Sequence, residues 1–229
     1  MDGLAAESHD EYNYWVTENT LNYNQNFGDH SLSLLGGFIA SRESDRGLRV
    51  SSNGFGSSTA ITTVTGGTVQ SVPQISIYEK SHAAFIGRLN YSYKDKYLLT
   101  SNFRADGSGQ FSEANRWGYF PSFSAGWRIS KERFFENVEA INDLKLRAGW
   151  GLVGNDRANP YAWYGLVDPA LYITGGSIIN AYVPSTLENS ALKWEKTGQF
   201  NIGLDVALLD SRITINTDYY NKKTSDLLL

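Results

Sequence analysis

The chain has 229 residues with 41% hydrophobic and 14% aromatic content, which is enough apolar material for a large folded domain and argues against disorder. Its formal net charge of −4 and its pI of about 5.4 provide no basic surface and argue against nucleic acid as a partner. The lack of cysteine excludes disulfides and thiolate metal sites, and no stretch approaches the ~20 consecutive apolar residues of a membrane-spanning helix.

Alternation between apolar and polar residues is the dominant pattern along the chain. Strand-like segments occur at 12–27, 31–42, 82–94, 96–107, 117–130, 143–153, 194–208 and 212–223. Long strands with aromatic residues on the apolar side suit a transmembrane β-barrel, because one face contacts lipid and the other contacts water. The sequence therefore predicts an all-β fold in which about eight antiparallel, meandering strands form a barrel wall.

The two faces are clearest in the fourth predicted strand. Tyr97, Leu99 and Phe103 occupy its apolar face. Asn102 and Arg104 occupy the other face, and a strand buried on both sides would not carry an arginine in its middle. We therefore expect the polar face to be hydrated.

The connections between these strands alternate in length. They are tight at 28–30, at Asp95 and at 209–211, but long at 43–81 and 154–193. Barrels of the bacterial outer membrane alternate short periplasmic turns with longer extracellular loops. We therefore assign the tight turns to the periplasmic side.

Two connections carry patterns of their own. Segment 131–142 places Phe134, Phe135, Val138 and Ile141 at near-helical spacing, which predicts a short helix or helical turn on the periplasmic side. The first long connection is rich in Ser, Gly and Thr. It predicts either a mobile lid or a β-structured extension of the flanking strands.

Five motifs follow one another along the strands and turns. They are YKDKYLL, RADGS from Arg104 to Ser108, RWGYFPS from Arg116 to Ser122, LKLRAGWGLVGN and LKWEKTGQFNIGLD. In this order they resemble the SusC/RagA family of TonB-dependent outer-membrane transporters of Bacteroidetes. The resemblance covers residues 85–155 and 187–229, and it is weaker elsewhere.

The resemblance implies a barrel of about 22 strands with long extracellular loops, an N-terminal plug domain and a TonB box that couples opening to the inner-membrane proton gradient. It also implies a SusD-like surface lipoprotein and the import of nutrients, either glycan oligosaccharides or peptides. Neither plug nor TonB box is found in 1–229, so we expect one partial barrel domain, a middle-to-C-terminal fragment located in the outer membrane. The lack of a signal peptide and of a terminal aromatic residue favours the same interpretation.

Polar residues at inward strand positions are candidates for lining the lumen and contacting the plug. They are Arg88, Asn90, Arg104, Lys145, Arg147, Gln199, Asn201 and Asp205. Their side chains offer hydrogen bonds that can form new pairs when a plug moves. The alternative is that each is an ordinary solvated residue of the wall.

The second long loop carries candidates for contact with a substrate. They are Tyr161, Trp163, Tyr164, Tyr172 and Tyr182, together with Asn155 and Asp156. Flat aromatic rings beside amides and acids are a usual means of holding a sugar ring or an extended peptide. Two alternatives are that these rings form a small core within the loop, or that they pack against a lipoprotein lid.

No residue pattern predicts catalysis, a cofactor or a metal site. His9, His30 and His82 are isolated in sequence, without an H-E-x-x-H motif or a nucleophile elbow. Neither His30 nor His82 has an obvious acidic partner. The loops around Asp106 and Asp156 lack the ligand spacing of a calcium loop. We therefore expect a protein that is not an enzyme.

A stand-alone small outer-membrane barrel is the alternative, because eight strands can close. Such a protein would act as an adhesin, a structural protein or an outer-membrane enzyme. An intact small barrel is expected to keep its export signal and its terminal aromatic residue, and the sequence shows neither. The sequence therefore favours the transporter fragment.

Overall fold

The computed structural model describes residues 3–55, 63–138, 140–159 and 161–228. Eleven strands are assigned in these ranges: β1 Gly3–Phe27, β2 His30–Phe55, β3 Val69–Gln70, β4 Gln74–Tyr93, β5 Tyr97–Ser108, β6 Trp117–Arg128, β7 Ile141–Asn155, β8 Val167–Thr174, β9 Ser177–Pro184, β10 Glu195–Leu208 and β11 Ile213–Ser225. None of the helices described there is long and apolar enough to cross a membrane.

The strands form one large sheet and one small sheet. The large sheet has the order β1-β2-β4-β5-β6-β7-β10-β11, with β3 beside β2, and β8 pairs with β9 alone. Neighbouring strands from β4 to β7 pair in an antiparallel sense, as do β7 with β10 and β10 with β11. The predicted all-β meander is therefore confirmed.

The chain divides into two compact units, and the first comprises Met1–Val16 and Ser41–Ser81. Within this unit, Arg42 Nη2 lies 2.9 Å from Glu79 Oε2. Strand β2 continues to Phe55 and β4 already begins at Gln74, so much of the predicted connection 43–81 extends the flanking strands. Of the two interpretations of this segment, the structure supports the β-extension, and residues 56–62 lie outside the described ranges.

The second unit comprises Thr17–Ala40 and His82–Leu229, and its sheet has two chemically different faces. Aromatic rings of neighbouring strands lie side by side on one face, for example Phe103 with Tyr119 at a centroid distance of 6.2 Å and Phe123 with Trp150 at 6.4 Å. These four rings are between 42% and 57% exposed. This face is the one that the alternation assigns to lipid.

The short connections are tight turns, as predicted. Lys94 and Asp95 adopt left-handed conformations between β4 and β5, and Leu209, Asp210 and Ser211 do so between β10 and β11. These conformations reverse the chain within a few residues. The longer 131–142 connection begins at the 3-10 turns Ile129–Lys131 and Arg133–Phe135, so the predicted helical turn is confirmed.

Asp95 joins the β4–β5 turn to the longer connection that follows β6. Its Oδ2 atom accepts a hydrogen bond from Arg128 Nη1 at 2.5 Å, and Lys131 Nζ donates to the same oxygen. The hydrogen bond from Lys131 and the charge of Arg128 hold the pKa of Asp95 below its ordinary value. The β4–β5 turn is thereby joined to the connection that follows β6.

Glu132 joins the same connection to the aromatic residues at the strand ends. Its carboxylate accepts hydrogen bonds from Tyr97 Oη at 2.7 Å, Trp127 Nε1 at 3.1 Å and Lys96 Nζ at 3.2 Å. A ring at a membrane interface keeps its polar atom bonded in this way. Tyr97 and Trp127 thus have the environment expected for an aromatic girdle.

We expect the stabilisation from Glu132 to depend on pH. The hydrogen bond from Tyr97, and then that from Trp127, lowers the pKa of Glu132 below its ordinary value of 4.5. A carboxylate whose pKa is lowered by folding stabilises the folded state fully above its ordinary pKa. This stabilisation is lost as pH falls through the pKa of the folded state. Glu132→Gln should therefore lower the urea midpoint of the full-length protein in detergent at pH 7, with little effect in strong acid.

The matched control for this measurement is Glu136→Gln. Glu136 is an exposed glutamate of the same connection. The Glu136→Gln substitution should leave the urea midpoint unchanged both at pH 7 and in strong acid. Equal destabilisation by Glu132→Gln at both pH values would show that the carboxylate charge contributes nothing.

Candidate functional site

The strand register places all eight predicted lumen-facing residues on the polar face of the second unit. Arg88 pairs with Asn102 and Asn90 pairs with Thr100 across β4 and β5. Arg104 lies further along β5, and the rows continue through β6 to β7 and β10, where the other five predicted residues lie. Arg88 Nε donates to Asn102 Oδ1 at 2.6 Å. The eight residues therefore share one face of the sheet, and their contact with a lumen or a plug stays a prediction.

Arg147 links three strands on this face. Its guanidinium donates to both carboxylate oxygens of Asp205 at 2.8 Å, and it lies 3.0 Å from Asp218 Oδ1. Gly203 provides the space, because a Cβ there would lie 2.7 Å from Arg147 Nη2. The ion pairs thus depend on a glycine between the partners.

We expect Gly203→Val to displace the Arg147 side chain and to destabilise the wall by ~1–3 kcal/mol, as overpacking usually does. The measurement is the urea midpoint of the full-length protein in detergent. The control is Gly87→Val in β4, where a Cβ would meet nothing within 4 Å. Equal midpoints for the two variants would contradict the role assigned to Gly203.

An aromatic cluster closes the loop end of the polar face, and we call Phe111, Phe120 and Trp194 the aromatic clasp. All three side chains are buried, and the Trp194 ring lies 5.4 Å from Phe111 and 5.3 Å from Phe120. Trp194 Nε1 donates to the carbonyl oxygen of Arg116 at 3.0 Å. The clasp therefore joins the β5–β6 connection to the residues that enter β10.

Polar contacts strengthen this junction. Ser108 Oγ donates to Asp156 Oδ2 at 2.7 Å. Ser112 Oγ and Asn115 Nδ2 both donate to the carbonyl oxygen of Ser190, at 3.1 and 3.0 Å. Two loops that are distant in sequence are thus fixed to each other.

A cavity of about 720 Å³ lies on the polar face below the clasp. His82, Arg104, Asp106 and Trp194 line its loop end. Arg104 donates from Nε and Nη2 to the two carboxylate oxygens of Asp106, at 3.1 and 2.6 Å. His82 Nε2 lies 3.6 Å from Asp106 Oδ1, so the expectation that His82 has no acidic partner was wrong. The two residues meet because β4 and β5 are adjacent, which sequence distance does not reveal.

The residues predicted to contact a substrate lie in three separate places. Asn155 ends β7 and donates to Glu195 at 3.2 Å, while Asp156 belongs to the junction described above. The Trp163 ring lies 3.7 Å from Tyr164, which lies 6.2 Å from Tyr161.

The remaining two predicted aromatic residues lie on the β8–β9 hairpin. Tyr172 pairs with Ile179, whereas Tyr182 pairs with Pro169. The two tyrosines therefore occupy opposite faces of the hairpin, and they are 61% and 73% exposed. The five aromatic residues do not form one continuous platform.

Sequence reasoning missed the aromatic clasp. Phe120 breaks the alternation of β6, since it is an aromatic residue at an inward position between Gly118 and Ser122. That break was the available signal. Within the described ranges, no group of three or more His, Cys, Asp or Glu residues is arranged to hold a metal ion.

Comparison with known proteins agrees with this architecture. Residues 3–229 match the family described as TonB dependent receptor-like, beta-barrel. TonB-dependent receptor P3 of Formosa agariphila is 35% identical over 99% of this chain, which corresponds to 23% of that receptor. TonB-dependent receptor SusC of Bacteroides thetaiotaomicron is 43% identical over 63% of this chain and 15% of its own length.

Solved structures give the same result. The RagAB peptide transporter matches 97% of this chain and 25% of its own chain, with 26% identity and a TM-score of 0.86. The RagAB peptide importer matches with TM-scores of 0.86 in its "closed-closed" state and 0.85 in its "open-open" state. The chain spans about a quarter of the length of these proteins. It belongs to the family of TonB-dependent receptor β-barrels, and it is similar to SusC and RagA-type transporters within that family.

Proposed function

We propose that this chain forms part of the barrel wall of an outer-membrane transporter that imports nutrients, either oligosaccharides or peptides. The observation that carries the proposal is the two-faced sheet, with exposed aromatic residues on one side and a hydrogen-bonded polar surface on the other. Lipid can contact the first face and a hydrated lumen the second.

The partners belong to the same proposal. A plug domain and TonB box outside these residues would couple opening to TonB, and a SusD-like surface lipoprotein would close the extracellular mouth. The match to RagAB in both named states supports a wall that keeps its shape while other parts move. The polar groups of Arg88, Arg147 and Asp205 would meet the plug from the wall. No catalytic role is proposed.

The test uses a strain of the source organism that lacks the parent gene. It is complemented with the full-length gene or with the same gene lacking its TonB box. Growth and uptake are measured on a neutral oligosaccharide mixture and, separately, on a peptide mixture. We expect uptake of one mixture to require both the gene and the TonB box, and the protein to fractionate with outer membranes. Uptake that is independent of the gene for both mixtures would overturn the proposal.

A further inference from the structure

Two rows of uncharged residues cross four neighbouring strands on the polar face. The first row consists of Asn102, Ser122, Gly151 and Gln199. The second row consists of Thr100, Ser124, Gly149 and Asn201. Residues in register across strands present their side chains side by side. The rows therefore form a neutral patch of amides and hydroxyls with glycine at its centre.

The two glycines at the centre of this patch leave room for side chains of the neighbouring strands. A Cβ on Gly149 would lie 2.7 Å from Asn201 Oδ1, and a Cβ on Gly151 would lie 2.8 Å from Ser122 Cβ. The Asn201 amide therefore lies over Gly149, and Ser122 packs against Gly151. This patch lines the cavity of about 720 Å³, which falls within the roughly 300–1,000 Å³ of small-molecule sites.

The amides of the two rows differ in their availability. Asn102 is occupied, since its Oδ1 accepts from Arg88 and its Nδ2 donates to Ser122 Oγ at 3.1 Å. In the part of the chain that the structure describes, the side-chain amides of Gln199 and Asn201 make no hydrogen bond. Each such amide offers a carbonyl acceptor and two N–H donors to a ligand.

Charged residues surround the patch, and none belongs to its two rows. Arg104 is held by two hydrogen bonds to Asp106 at one end of the cavity. Arg88 and Lys222 lie at the two ends of the first row, in register with Asn102 and Gln199. The centre of the depression therefore lacks the cation that would bind a carboxylate or a phosphate.

The depression continues towards the short connections. A second cavity of about 270 Å³ shares Ser124 and Asn201 with the first, and Lys145 and Arg147 line it, so the uncharged part of the surface ends there. Beside it, Tyr220 is in register with Asn201 and is 66% exposed. An exposed ring next to free amides suits the apolar face of a sugar.

We propose that this neutral depression is a binding subsite for an uncharged oligosaccharide on its passage along the barrel wall. Gln199 and Asn201 donate to and accept from sugar hydroxyls. The inference rests on the proposed transport function and specifies its substrate class. A segment of the plug that covers the same patch is the competing occupant.

The test exploits the absence of cysteine from this chain. Ser124→Cys is introduced into the full-length transporter, with any cysteine elsewhere in that protein replaced, and is labelled in outer-membrane vesicles with a small thiol reagent. The control is Asn216→Cys, which pairs with Asp205 on the same polar face but does not line the depression. The probes are a neutral oligosaccharide mixture, an acidic oligosaccharide mixture and a peptide mixture.

We expect the neutral oligosaccharides to slow labelling at Ser124→Cys and not at Asn216→Cys. Adding Gln199→Ala and Asn201→Ala should raise the protecting concentration about tenfold, as expected for the loss of two neutral hydrogen bonds. Protection by peptides or acidic sugars alone, equal protection at both cysteines, or no protection would each overturn the subsite. A cysteine at position 124 that never reacts would show that protein covers the patch. If the growth assay shows transport but no probe protects Ser124→Cys from labelling, the subsite is rejected and the proposed transport function stands.

Discussion

Replacing Trp194 with alanine is expected to release two loops without unfolding the wall. The change removes the contacts with Phe111 and Phe120 and the hydrogen bond to the carbonyl oxygen of Arg116. Substitutions of buried Phe or Trp by Ala usually cost ~3–5 kcal/mol. Because Phe111 and Trp194 lie in connections and only Phe120 belongs to a strand, that loss should appear as local opening of the connections.

Amide hydrogen exchange of the full-length protein is the appropriate measurement. Protection should fall in 108–116 and 154–166, while strands β5, β6 and β7 remain protected. Trp163→Ala is the control, because Trp163 is a half-buried tryptophan of the same loop whose ring contacts Tyr164 and not the clasp. Uniform loss of protection across the strands would instead make the clasp part of the global core, and no loss in either loop would contradict its anchoring role.

The Phe123→Arg substitution is expected to destabilise the protein strongly in a bilayer. Phe123 is 50% exposed and lies beside Trp150 on the face assigned to lipid. An arginine on the lipid face of a barrel costs ~2–4 kcal/mol near the midplane of the membrane. The loss of the aromatic contact adds to this cost.

The adjacent residue provides the control for this experiment. Ser124 is exposed on the polar face of the same strand, so Ser124→Arg should cost much less. The two variants of the full-length protein are compared by chemical unfolding in lipid vesicles. Equal free energies of unfolding would contradict the assignment of the two faces.

Much of the fold was predictable because strand periodicity is a local property. The side-chain period of two determines which residues share a face, and it placed Arg104, Arg147 and Asn201 on one surface before any pairing was known. Tight turns at Asp95 and Asp210 follow from short connections between such strands. These features need no knowledge of which strands are adjacent.

Features that depend on contacts between distant segments were not predictable. The β8–β9 hairpin lies in a segment predicted only as a long loop, since its short strands carry apolar residues on both faces. The pairing of His82 with Asp106 required the register of β4 and β5. The clasp could be predicted only by recognising that Phe120, an aromatic residue at an inward position, packs against a distant segment.

The β8–β9 hairpin also bears on how such a protein can diversify. It forms a sheet of its own, and its base is closed locally, where Ser185 N donates to the carbonyl oxygen of Leu166 at 2.8 Å. The aromatic clasp and the Asp156 junction lie outside it and hold the loop ends. A hairpin of different length or sequence can therefore replace the segment between Leu166 and Ser185, so this part of the protein can vary in evolution or by design while the wall is retained.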